Sequence, residues 1–256
     1  MSTIPESLQL PDEALAKYLQ NHIRGFQGPL ISTKFKGGQS NPTYLLEAAS
    51  SRYVLRRKPP GKLLASAHAV DREFRVLQAL HHSAVPIAKP FHLCTDETII
   101  GSMFYVMEYI DGKVFWDPSL PDCTTAQRAE IFDALIKTLA AIHSESVVDS
   151  GLADYGKPGN YFERQTTRWS KQYRDSETQS IAVMDALIEQ LPIRCPEDDG
   201  SISLVHGDFR IDNLMFDSDG KKVLAVVDWE LSTLGHPLAD LGYFCMALRL
   251  PRNPAL

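Results

Sequence analysis

The stretch that most constrains this chain is Leu204-Val205-His206-Gly207-Asp208-Phe209-Arg210-Ile211-Asp212-Asn213-Leu214, followed by Val226-Val227-Asp228-Trp229-Glu230. Ser203-Leu204-Val205 reads as a short strand. His206-Gly207-Asp208 turns the chain out of it, and Asn213 stands five residues beyond Asp208. Segments 214–217 and 223–228 read as a hairpin around Asp219-Gly220, because Asp-Gly accepts the positive backbone angles of a tight turn. An Asp and an Asn therefore follow one short strand, and a second Asp closes another.

These residue types match the needs of phosphoryl transfer from ATP. The phosphates carry several negative charges, so a divalent cation has to bridge them, and Mg²⁺ prefers oxygen ligands while keeping some of its waters. Asn213 and Asp228 can supply two such oxygens from opposite sides of the hairpin. The acceptor hydroxyl must be aimed at the γ-phosphorus and give up its proton, a task for the carboxylate of Asp208. His206 is expected to brace the loop by hydrogen bonding.

The rest of the chain reads as an α+β architecture. Pro11-Asp12 opens a helix with Leu15, Tyr18, Leu19 and Ile23 on one face. Strands are expected at 30–36, 43–48 and 53–58, with the turn Gly37-Gly38-Gln39-Ser40-Asn41-Pro42 between the first two. A helix over 67–80 and strands at 91–94 and 103–109 complete an N-terminal lobe, residues 1–110. Asp111-Gly112 then breaks the pattern. Residues 111–256 form a mainly helical lobe, with helices at about 124–145, 160–174, 178–191 and 238–250. Thr124 and Gln127 stand at capping-box spacing. A ligand is expected in the cleft between such lobes.

Composition excludes several classes. At 44% hydrophobic and 23% charged, the 256 residues have ordinary globular content. No apolar run approaches the roughly 18 residues of a membrane helix. The N-terminus lacks a cationic segment followed by an apolar one, so no secretory signal is read. Cys94, Cys123, Cys195 and Cys245 form no CxxC pair and suit free thiols in a reducing, cytoplasmic setting. The eight histidines show no HxxxH or HExxH spacing, so zinc has no support. The net charge of −6 is uneven: residues 52–75 carry seven basic and two acidic residues, net +5, and residues 76–256 carry 15 and 26, net −11. A large acidic segment argues against nucleic acid, while a short basic one can meet a compact polyphosphate.

With these residues in view, the chain resembles the aminoglycoside phosphotransferase and choline kinase-like family, a branch of the two-lobed protein-kinase-like fold. The spelling His206-Gly207-Asp208-Phe209-Arg210-Ile211-Asp212-Asn213 resembles one branch more closely, as do Asp228-Trp229-Glu230-Leu231-Ser232-Thr233 and Gly235-His236-Pro237-Leu238-Ala239-Asp240-Leu241. Tyr53-Val54-Leu55-Arg56-Arg57-Lys58-Pro59-Pro60-Gly61-Lys62 is similar too. That branch is the kinase-like domain found alone in bacteria or fused before an acyl-CoA dehydrogenase in some animal proteins. The likeness runs from about residue 12 to 250.

The resemblance implies further roles. Arg56 takes the place of the phosphate-binding Lys, with Glu73 as its helix partner, and Val54 lines the adenine. Arg can bridge phosphate and carboxylate, but its planar fork sits differently from an ammonium. Gly37, Gly38 and Ser40 stand where the family has its phosphate-covering turn, and backbone groups of Glu108 and Ile110 meet adenine at the hinge. Arg210 is read as stabilising charge on the moving phosphoryl group, and Asp240 as a brace of the catalytic loop. The family continues for several helices beyond the Asp240 segment; this chain reaches only Leu256, so those helices are expected to be missing.

The cofactors implied are ATP and Mg²⁺, and the partner a small hydroxylated molecule. The branch resemblance favours a hydroxyacyl group such as a hydroxyacyl-CoA, and Arg57, Lys58 and Lys62 would suit a CoA phosphate. The acidic larger lobe, with Trp116, Tyr161, Trp169, Tyr173 and Trp229, would instead suit a cationic acceptor such as an aminoglycoside or choline. A third reading is a module that binds nucleotide and transfers nothing, motivated by the Arg at the Lys position and the early C-terminus.

Overall fold

The computed structural model describes residues 9–35, 41–59, 69–157 and 159–249. The chain divides into two compact units, Met1–Thr138 with Arg210–Glu230, and Leu139–Phe209 with Leu231–Leu256. The first unit holds α1 (Asp12–His22), β1 (Leu30–Lys34), β2 (Thr43–Ala48), β3 (Arg52–Arg57), α2 (Val70–Leu80), β4 (Pro90–Cys94) and β5 (Phe104–Glu108). The strands form one antiparallel sheet in the order β1-β2-β3-β5-β4.

Alternation along the strands assigns the two faces of this sheet. Tyr44, Leu46, Tyr53, Leu55, Phe104 and Val106 share one core with Leu15 and Leu19 of α1, the face that the helical spacing of α1 predicts. Arg56 and Tyr105 are register partners, so they share the opposite face. α2 brings Val70, Phe74, Val76, Leu77 and Leu80 to its own buried side, and Glu73 with them. Arg57 follows the period of the strand into the first core. It is only 2% exposed, and its Nε donates to Ser102 Oγ at 2.8 Å. A surface role in a basic run is therefore closed to Arg57, and desolvation lowers its pKa from the ordinary arginine value.

The remainder of this unit is the first part of α3 (Thr125–Ser144) and the hairpin of β7 (Leu214–Phe216) and β8 (Val223–Val226). The capping box is present: Thr124 N–H donates to Gln127 Oε1 at 2.8 Å, and Gln127 N–H to Thr124 Oγ1 at 3.3 Å. The hairpin is seated by two contacts. Lys113 bridges Phe216 through paired backbone bonds of 2.8 Å, and Val226 N–H donates to Pro86 O at 2.9 Å.

The second unit holds the end of α3, α4 (Tyr161–Ser176), α5 (Ala182–Arg194), α6 (Leu238–Ala247), and the two-stranded ladder of β6 (Ser203–Val205) with β9 (Thr233–Gly235). β9 is the element that sequence patterning does not reveal. It is three residues long, one of them Gly, and its partner lies some 30 residues earlier. Among the described residues no helix is long and apolar enough to cross a membrane.

Candidate active site

In the first unit, one cationic side chain gathers three carboxylates. Arg56 Nη2 donates to Asp228 Oδ1 at 2.6 Å and lies 3.5 Å from Glu230 Oε2. Its Nε is 2.9 Å from Glu73 Oε2, yet that N–H has no aligned acceptor among the described residues, so the contact is a charge pair and not a directed hydrogen bond. Glu73 is 1% exposed and is held by two donors, Tyr105 Oη at 3.0 Å and Asn41 Nδ2 at 2.8 Å. Burial pushes the Glu73 carboxyl up to about 7, against the pull of Arg56. The same carboxylates hold Arg56 above its ordinary pKa in spite of its own burial, so the guanidinium keeps its charge.

The hairpin fixes where the other oxygens stand. Leu214 pairs with Val226, and Asn213 O accepts the Val227 N–H at 3.0 Å. Asn213 and Asp228 therefore flank the open end of one hairpin, as the spacing predicts. Asp228 has φ 66°, a left-handed backbone that Asp tolerates better than most residues and that functional loops often carry. Trp229 anchors the turn: it is 2% exposed, and its Nε1 donates to Val226 O at 3.1 Å. That burial removes Trp229 from the aromatics available to a cationic ligand.

The loop bearing Asp208 lies in the second unit. Asp240, 1% exposed, accepts the N–H groups of His206 and Gly207, each at 2.8 Å, and contacts His143 Nε2 at 3.0 Å. His206 Nδ1 accepts the Asp208 N–H at 3.3 Å. One buried carboxylate thus fixes the turn before Asp208, and His206 fixes Asp208 itself. Gly207 has φ 86°, and a Cβ there would come within 2.6 Å of Leu231 O. Asp208 is half-buried.

Of the other residues singled out, Val54 is buried in β3, two positions from Arg56 and so on the same face. Glu108 N–H donates to Lys89 O at 2.9 Å, and Ile110 is half-buried just beyond β5. Arg210 pairs with Asp212, its Nε 2.9 Å from Oδ1. Gly37, Gly38, Ser40 and Lys62 lie outside the described residues. The sequence reading gave no role to the side chains of Asn41, Tyr105 and Glu230. Tyr105 alternates with Phe104 and Val106, but only the β3–β5 register sets it opposite Arg56.

A family model described as the phosphotransferase enzyme family matches residues 32–256. This chain belongs to that family. Among curated proteins, this phosphotransferase-family chain is 46% identical over 251 residues to mouse acyl-CoA dehydrogenase family member 10, covering 98% of the chain and 23% of that protein. It is 42% identical over 245 residues to human acyl-CoA dehydrogenase family member 11, covering 94% of the chain and 31% of that protein. The chain thus spans about a quarter to a third of the curated relatives it matches. Among solved structures, a candidate aminoglycoside phosphotransferase from Ralstonia eutropha superposes with a TM-score of 0.87 at 48% identity, over 96% of this chain and 72% of that one. A complex of the aminoglycoside phosphotransferase APH(4)-Ia with ADP and hygromycin B shares the fold alone, with a TM-score of 0.61 at 16% identity, over 90% and 75% of the two chains. The fold is the kinase-like α+β fold of aminoglycoside phosphotransferases, as the resemblance implied.

Proposed function

We propose that this chain is an ATP- and Mg²⁺-dependent small-molecule phosphotransferase that moves the γ-phosphoryl group to a substrate hydroxyl, with a hydroxyacyl group such as a hydroxyacyl-CoA as acceptor. The observation that carries the reading is the buried Arg56, charged and set between Glu73 and Asp228. A fixed cation beside a carboxylate at a hairpin end is what binding of a metal-chelated polyphosphate requires. The residues present fit Mg²⁺: Asn213 and Asp228 offer oxygens alone, and Asp228 is about one-third exposed. Among the described residues no three His, Cys, Asp or Glu side chains form a metal cage, and Mg²⁺ needs none, since it takes one or two carboxylates with waters and phosphates.

When bound, Mg²⁺ supplies charge neutralisation across the phosphate oxygens. Arg56 holds the phosphates, with Glu73 setting its fork. Asp208 accepts the proton of the acceptor hydroxyl as the new oxygen–phosphorus bond forms and the bond to the β-phosphate oxygen breaks, and ADP leaves with the displaced electron pair. Asp240 and His206 keep Asp208 aimed by fixing its turn. Arg210 stabilises the transferring group once it leaves Asp212.

One observation favours a cationic acceptor instead. The second unit has a cavity of about 330 Å³ lined by Tyr161, Phe162, Glu163, Glu197, Asp198 and His236 among others. Acidic and aromatic walls together suit an amine-bearing molecule. ATP consumption measured with hydroxyacyl-CoAs, aminoglycosides and choline separates the acceptors. Asp208→Asn should lower the rate by about 10²–10⁴-fold with the true acceptor; equal rates for both proteins would instead favour a non-catalytic nucleotide-binding module.

A further inference from the structure

Asn41 is 0% exposed, and its carbonyl oxygen Oδ1 is buried with no donor among the described residues. Buried acceptors are rarely left unmet, and a leucine would pack in such a place without that cost. What offsets the cost is on the other side of the amide. Nδ2 donates to Glu73 Oε1 at 2.8 Å and to Glu230 Oε2 at 3.3 Å. Two carboxylates fix which way the amide points, because the reversed amide would set an oxygen against both of them. Both N–H groups are spent, and no charge is added.

The backbone around Asn41 is anchored. Its carbonyl accepts Thr43 Oγ1–H at 3.0 Å, and the next residue, Pro42, accepts the Arg57 N–H at 3.0 Å. The side chain therefore reaches from the start of β2 to α2 and to the turn after β8. The two carboxylates it joins are those that flank Arg56 together with Asp228. Among the described residues Arg56 Nε has no aligned acceptor, so directed bonds from that nitrogen do not orient the guanidinium. Its orientation follows from where its carboxylates are pinned. Tyr105 pins Glu73 alone; the amide of Asn41 pins Glu73 and Glu230.

We propose that Asn41 is a positioning residue: its amide ties Glu73 to Glu230 and thereby sets the guanidinium of Arg56 for the nucleotide phosphates. The inference rests on the phosphotransferase reading and adds to it a link between helix α2 and the Asp228-Trp229-Glu230 turn. Calorimetric titration with AMP-PNP in Mg²⁺ tests it. Asn41→Ala, Asn41→Leu and Glu230→Ala should each weaken binding at least tenfold. The Asn41→Ala/Glu230→Ala double variant should bind within twofold of the weaker single, because both changes cut one link. Asn41→Leu is the discriminating case. It nearly keeps the volume and loses the donors without adding a charge, so a role in packing alone would leave it close to wild type.

Losses that multiply in the double variant, or Asn41→Leu binding within twofold of wild type, would overturn the proposal. Urea midpoints confirm that each variant is folded. If Asn41→Ala is not, the double variant is made with Asn41→Leu and read the same way. A wild-type chain that binds no AMP-PNP sinks the phosphotransferase reading and this one with it. Normal wild-type binding with unaffected Asn41 variants sinks this one alone.

Discussion

Arg56 stands where the resemblance expects Lys, and the difference has a physical consequence. A guanidinium offers five donors in a plane, so one residue can address Glu73, Asp228 and Glu230 together, where an ammonium is a single point charge. The carboxylates then outnumber the cation, and Glu73, the most deeply buried, holds its proton to about pH 7 instead of the ordinary 4.5. A carboxyl raised in this way binds its proton more tightly in the folded chain than in the unfolded one, so protonation favours the folded state. Its contribution is full below about pH 4.5 and is lost as pH rises through 7, with a slope on the order of 1 kcal/mol per pH unit. Urea midpoints of wild type and Glu73→Gln between pH 4.5 and 8 should therefore separate progressively up to about pH 7 and run parallel above it. Curves parallel throughout would show that Glu73 ionises normally. The Arg56–Glu73 pair, present as an ion pair, was expected from the family resemblance, which implies a strand cation paired with a helix Glu. Asn41 and Tyr105 were not, since their roles depend on register and on a turn meeting a helix 32 residues away.

At the scale of elements, strong periodicity carried most of the reading. Every expected strand and helix is present, with ends displaced by up to a few residues, because caps and turns decide the ends. β9 escaped for want of any period in three residues. Arg57 was misjudged because a charged side chain in a strand reads as solvent-facing until Ser102 is seen opposite it. The turn after β6 is the element with the least tolerance. Gly207 combines a left-handed φ of 86° with close approach to the Leu231 carbonyl, so Gly207→Ala incurs both backbone strain and a clash. The left-handed conformation alone costs about 1–2 kcal/mol. The variant should lose at least that much stability in urea, and its turnover should fall because the turn that aims Asp208 has to move. An alanine variant matching wild type in both measurements would mean that the turn is freer than its hydrogen bonds to Asp240 imply.

For the molecule as a whole, the proposed need for a metal with an anionic ligand can be tested against the net charge of −6. ATP without Mg²⁺ would meet Asp228 and Glu230 with only Arg56 to offset them. At one hundred times its Kd, a ligand that binds only the folded chain adds about 2.7 kcal/mol of stability. AMP-PNP with Mg²⁺ should thus raise the thermal midpoint by several degrees, and EDTA should remove most of that rise. An increase unaffected by EDTA would remove Asn213 and Asp228 from metal binding. The interleaving of the two compact units has a consequence for synthesis. Arg210–Glu230 belongs with the unit begun at the N-terminus, although a long stretch of the other unit is translated in between. A nascent chain that has emerged only to Thr138 holds Arg56 and Glu73 but neither Asp228 nor Glu230. The ribosome must deliver the whole intervening segment before the guanidinium meets its last two partners, so the first unit cannot be completed before that segment is made.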